Sequence, residues 1–173
     1  MVEGGSCLLG SLNLAAYIDK KKKTFNKEDF WNDVQTAIWY LDDVLEGGID
    51  LLPLEEQRQA AISYRNLGLG IMGFADALIY LGIEYGDGPS IDFINMVGQT
   101  MANAALQASS IRAKEKGVYP KYNKATILDS SYLNEVATEE TIEMIKQHGL
   151  RNAELLSIAP TGLAKWPLII VIL

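Results

Sequence analysis

Cysteine and histidine are almost missing from this chain, one of each in 173 residues. A single Cys excludes an internal disulfide framework and any multi-cysteine zinc site. A single His excludes His-rich metal centres, and a self-contained hydrolytic triad would have to use His148. Basic residues are outnumbered as well, 15 Lys and Arg against 22 Asp and Glu, a net charge of −7. Nucleic-acid binders displace counterions with a basic face, so this balance argues against one. Long hydrophobic runs are lacking too. The longest, residues 167–173, is far short of the ~20 residues a membrane span requires. The first residues, Met1-Val2-Glu3-Gly4-Gly5, carry neither a basic region nor a long apolar stretch, which predicts a cytoplasmic protein with a free thiol and no membrane attachment.

What is present suits a packed core. Apolar residues are 49% and charged residues 21%, a composition that does not stay disordered. No repeat or Pro/Ser-rich linker divides the chain, so residues 1–173 read as one domain. Residues 7–18 could hold a strand and a loop, followed by a solvated turn at Lys20-Lys21-Lys22-Lys23. Asn26 reads as a helix N-cap with Glu28 and Asp29 in the first turn. Phe30, Val34, Ala37, Ile38, Leu41 and Leu45 then recur at helical spacing as far as Gly47-Gly48. A second helix is expected from near Pro53 to Tyr64, and a third from about Ile71 to Leu81. The fourth and longest is capped by Ser90 and ends at Gly117, and its alanines (102, 104, 105, 108) imply a close neighbour. A fifth opens at Thr138 and closes around Lys146, His148 and Gly149. Residues 154–159 look like a strand. Helix therefore dominates, with strands expected only near the two ends, as in a slice of something larger. Asp42-Asp43 and Glu55-Glu56 read as solvated faces, because neighbouring residues on a helix do not converge on one substrate. Trp31, Trp39 and Tyr40 are too scattered for a base-stacking platform.

Gly68-Leu69-Gly70-Ile71-Met72-Gly73 matches G-x-G-x-x-G. In a dinucleotide-binding unit such glycines let backbone approach a pyrophosphate at a helix N-terminus, after a buried strand. Here the residues before Gly68 look helical and polar, and no second strand is expected after it. A glycine-permitted crossing of two elements is the preferred reading.

Four stretches in order carry a resemblance: Cys7-Leu8-Leu9-Gly10-Ser11-Leu12-Asn13-Leu14; the block from Arg65 through Gly68-Leu69-Gly70-Ile71-Met72-Gly73 to Ala75-Asp76; Glu115-Lys116-Gly117-Val118-Tyr119-Pro120; and Arg151-Asn152 followed by Ile158-Ala159-Pro160-Thr161-Gly162. Over residues 3–162 the chain resembles the catalytic subunit of ribonucleotide reductase, bacterial in flavour and most similar to the adenosylcobalamin-dependent class. The resemblance implies a fragment, mainly α with a few strands, from the middle of a ten-stranded α/β barrel. It implies a parent that reduces ribonucleotides to deoxyribonucleotides by thiyl-radical chemistry. Cys7 matches one of the two cysteines that supply electrons and become a disulfide. Ala159, Pro160, Thr161 and Gly162 match the start of the loop that cradles the substrate's phosphates, where a strand end presents backbone N–H groups to an anion.

The tail at 163–173 departs from the family's Gly- and Ser-rich continuation. It has the character of a misjoined end or of a strand needing a partner sheet. The family's radical-bearing Cys sits upstream of the Cys7 block, and no second Cys is present here. The isolated chain is therefore expected to be inactive, with no metal or cofactor of its own. The parent is expected to use adenosylcobalamin or a metal-containing radical-generating partner subunit, a ribonucleotide substrate, a thioredoxin-type reductant and self-association. A non-catalytic alternative is a truncated helical module that binds a partner or itself.

Overall fold

The computed structural model describes residues 5, 7–159 and 168–172. Strand β1 (Leu8–Asn13) leads through a turn of tight helix at Leu14–Tyr17, where the Asn13 side chain accepts the Ala15 N–H. A small hairpin follows, β2 (Ile18–Asp19) with β3 (Thr24–Phe25). The four lysines form its exposed turn, as a run of like charge should.

Helix α1 (Lys27–Gly48) is capped by Asn26, whose side chain accepts the Asp29 N–H. All six apolar positions expected on its inner face are buried. The helix continues through both glycines into a tight turn at Ile49–Leu51 instead of stopping at them. Phe30 is fully buried and meets Tyr17 and Phe25 edge-on at 5.1 and 5.4 Å, a geometry that aligns ring edges with ring faces. Helix α2 (Glu55–Tyr64) follows and ends at Arg65 in the left-handed region, φ 52°.

The glycine motif is where the structure corrects the sequence reading. Leu67–Met72 is a strand, β4, and the next helix α3 (Phe74–Leu81) begins only after Gly73. Strands are thus not confined to the two ends of the chain. β4 pairs in parallel with β1, Leu8 opposite Leu67 through Asn13 opposite Met72. Parallel strands buried on both faces lose the polar alternation that marks a strand, and glycines at alternate positions remove the rest of the signal.

Helix α4 (Gly88–Lys116) is the longest, and its N-cap is Asp87, not Ser90. The Asp87 carboxylate accepts the Ser90 N–H at 2.8 Å, while Pro89 sits in the first turn where a missing N–H costs nothing. Its Ala-rich centre, residues 102–110, is buried throughout, and Trp39 of α1 donates its indole N–H to the Ala108 carbonyl at 3.0 Å. Two short helices absent from the sequence reading, α5 (Lys124–Leu128) and α6 (Ser131–Val136), precede α7 (Glu139–His148). α7 has the expected Thr138 cap and ends at Gly149, with His148 in its last turn.

The expected strand at 154–159 is realised in part. Leu67 and Leu69 donate their N–H groups to the Glu154 and Leu155 carbonyls at 2.9 Å, and Ser157 donates to the Leu69 carbonyl at 3.0 Å. β5 (Leu168–Ile172) runs antiparallel along the other edge of β1, so that part of the divergent tail takes the form of a strand with a partner. The result is mainly helical with a few strands, and no closed barrel forms among the described residues.

Candidate active site

Side chains alternate across a strand, so the paired β1–β4 ladder has two distinct faces. One meets α1: a Cβ added at Gly10 would touch the Leu41 side chain at 3.5 Å and the Leu69 side chain at 3.4 Å. The other carries Leu9 and Ser11 of β1 opposite Gly68 and Gly70 of β4. Cys7, immediately before β1, projects onto this second face. Its thiol lies 3.8 Å from the Leu8 carbonyl and is half-buried.

Gly68 forms the floor beneath that thiol. A Cβ there would sit 2.8 Å from Cys7 Sγ, 2.5 Å from Leu9 Cδ2 and 3.1 Å from Ser157 Cβ. The Cys7 thiol and Ser157 therefore share the space left by one missing side chain. Ser157 is two residues before Ala159, which is half-buried. The structure thus brings Cys7 beside the segment that leads to the expected phosphate loop. Pro160, Thr161 and Gly162 lie outside the described residues.

Burial pushes the Cys7 thiol up to about 11, and the negative charge of Glu154 adds to the effect. A group that holds its proton more tightly when folded loses that advantage as pH climbs past its unfolded value. Stability is therefore expected to fall between about pH 9 and 11 and to be insensitive to Cys7 below that window. Alkylation gives a direct check. Two units of elevation cut the thiolate about 100-fold near pH 8, and higher intrinsic nucleophilicity returns about 6- to 10-fold. Iodoacetamide should modify Cys7 about tenfold more slowly than the same Cys in urea-unfolded chain. Equal rates would remove the shielded thiol from the account.

Behind the site lies a buried ionic network that the sequence reading placed in solvent. Asp42 is fully buried. Its Oδ1 accepts from Arg65 Nη2 at 2.8 Å, Arg65 Nε at 3.2 Å and Asn152 Nδ2 at 2.9 Å. Glu46, one helical turn on, bridges Arg65 at 2.6 Å and Arg151 at 3.0 Å. Asn152 also donates to the Arg65 carbonyl at 3.1 Å and accepts the Ser109 hydroxyl at 3.0 Å. Asp42 and Asp43 diverge because successive helical residues point about 100° apart. Asp43 faces outward to Arg112 and Lys116. The network joins α1, the turn into β4, α4 and the residues just before Glu154, and so fixes the two segments that frame Cys7.

A cavity of about 860 Å³ lies on the α1 side and is lined in part by Leu12, Tyr17, Asp33 and Tyr40, away from Cys7. No group of three or more His, Cys, Asp or Glu that could hold a metal occurs among the described residues. None of their helices is long and apolar enough to cross a membrane. Gly68, Ser157 and Glu154 are neighbours of the Cys7 thiol to which the sequence reading gives no site role. The available signal is glycine at alternate positions, the mark of a strand with one bare face.

A parallel ladder packed against a helix, with a half-buried thiol beside its other face, fits a piece of an α/β fold. The family model for the ribonucleotide reductase barrel domain matches residues 2–164, and the chain belongs to that family. It is 31% identical over 182 residues to the ribonucleoside-diphosphate reductase subunit alpha of Chlamydia pneumoniae, covering 92% of this chain and 17% of that protein. It is 34% identical over 160 residues to the vitamin B12-dependent ribonucleoside-diphosphate reductase of Thermoplasma acidophilum, covering 91% of this chain and 18% of the relative. The vitamin B12-dependent enzyme of Mycobacterium tuberculosis is 30% identical over 157 residues. The chain thus spans under a fifth of the length of the first two relatives, and its fold fits a slice of the α/β barrel.

Proposed function

We propose that this segment supplies one redox thiol and the approach to the phosphate loop of a ribonucleotide reductase, with Cys7 as an electron donor. The observation that carries the reading is the placement of the Cys7 thiol over Gly68 beside Ser157, at the head of the segment running to Ala159, Pro160, Thr161 and Gly162. Replacing a 2′-hydroxyl by hydrogen consumes two electrons and two protons and releases water. Two thiols oxidised to one disulfide deliver both. A thiol kept protonated at neutral pH by burial, as Cys7 is, brings its proton with its electron. The second thiol comes from outside these 173 residues, which contain one Cys. A dithiol of the thioredoxin type then restores the pair by exchange. The backbone N–H groups of Thr161 and Gly162, with the Thr161 hydroxyl, are the expected phosphate donors.

The radical generator enters no step assigned to these residues. Similarity to vitamin B12-dependent reductases favours adenosylcobalamin in the parent. When bound, that group supplies the initiating radical. A metal-containing partner subunit is the alternative source.

On this reading the isolated chain reduces no ribonucleotide, because it lacks the second thiol and the radical cysteine. Incubating the purified chain with each ribonucleoside di- and triphosphate, a dithiol and adenosylcobalamin should yield no deoxyribonucleotide. Product above the no-protein control would overturn that assignment of missing parts.

A further inference from the structure

The first two glycines of the motif lie inside β4 and not at a helix N-terminus, and both occupy positions that admit no side chain. Neither Gly68 nor Gly70 has a positive φ, so backbone freedom is not the reason for glycine at either place. Space is the reason. The two are separated by one residue and share one face of the strand. They are opposite Leu9 and Ser11 in the ladder.

What fills each space differs. At Gly68 the nearest atoms are side-chain atoms of Leu9, Cys7 and Ser157, at 2.5, 2.8 and 3.1 Å from where a Cβ would be. At Gly70 the nearest atom is the Ser157 backbone carbonyl oxygen. A side chain at 70 would thus push a backbone segment, whereas one at 68 would push the Leu9 side chain and the Cys7 thiol.

We propose that Gly68 is a positioning residue: by lacking a side chain it seats the Cys7 thiol over β4, beside Ser157, at the head of the segment that leads into residues 159–162. The functional weight of this seat rests on the reading of Cys7 as a redox thiol, but the seat itself is a property of the thiol and can be measured without turnover. A methyl group at 68 would stand 2.8 Å from Cys7 Sγ, too close for the sulfur to keep its place, and rotation about the Cys7 Cα–Cβ bond is expected to move it toward solvent.

Because Cys7 is the only cysteine, every thiol signal from the chain is its own. The test is the pH profile of iodoacetamide alkylation for the wild-type chain and for Gly68→Ala. Gly98→Ala is the control, since nothing lies within 4 Å of a Cβ added at Gly98. Gly68→Ala is expected to lower the midpoint of the profile toward that of an ordinary thiol and to speed alkylation at pH 8 by about tenfold. Gly98→Ala should match wild type. Gly68→Ala combined with Leu9→Ala removes the tightest clash but keeps the thiol contact, so it should fold where the single variant is compromised and show the same shifted profile. Near-UV circular dichroism establishes that each variant compared is folded. A wild-type profile in folded Gly68→Ala or in the folded double variant would overturn the proposal. A shifted profile establishes the seat whatever the redox role of Cys7 proves to be, and that role is tested separately by turnover of a full-length enzyme.

Discussion

Asp42→Ala is expected to destabilise the fold by about 3–5 kcal/mol, the usual cost of removing one partner from a buried ion pair. The wild-type carboxylate is fully buried and accepts from Arg65 and Asn152, with the Arg151 guanidinium 3.6 Å away. Without it Arg65, only 5% exposed, keeps a single anionic partner in Glu46, whose side chain is half in solvent. The Asn152 amide loses one acceptor and retains the Arg65 carbonyl. Since small domains are stable by about 5–15 kcal/mol, a loss of this size leaves little in reserve. Asp42→Asn keeps an acceptor oxygen and sheds only the charge, so it should cost less. Urea unfolding of both variants measures the difference. A change below about 1 kcal/mol in Asp42→Ala would mean that solvent reaches the network and the buried pair carries little.

The same network explains what the sequence can and cannot tell. Helix α1 is legible because Asn26 and its apolar stripe announce a cap and a 3.6-residue period, and packing obeys that period. Helix α7 is legible from Thr138, Glu139 and Glu140 at one end and Gly149 at the other. Asp42 is not, because a carboxylate on an amphipathic helix is normally on the wet side. Only the arrival of Arg65 and Asn152, 23 and 110 residues away, makes its burial tolerable. β4 is hidden for a related reason. A glycine is usually read for the backbone conformations it permits, and Gly68 and Gly70 are there for the atoms they exclude. Short helices α5 and α6 are too brief to show a period. The site is half legible: the resemblance assigns Cys7 its expected role, while its floor, Gly68, and its charged neighbour, Glu154, depend on a strand pairing that local pattern does not encode.

The second large effect concerns Cys7 itself, and it tests the central claim. In a full-length vitamin B12-dependent reductase whose homologous segment is replaced by residues 2–159 of this chain, repeated turnover with a dithiol reductant should depend on the Cys7 sulfur. Serine preserves the size of the side chain but can neither form a disulfide nor pass electrons by exchange. Deoxyribonucleotide formation over many turnovers, measured for the chimera and for its Cys7→Ser variant, is the decisive quantity. The account predicts multiple turnovers with Cys7 and a fall to background in Cys7→Ser, even though the substrate remains bound. Turnover in Cys7→Ser equal to that of the unsubstituted chimera would contradict it.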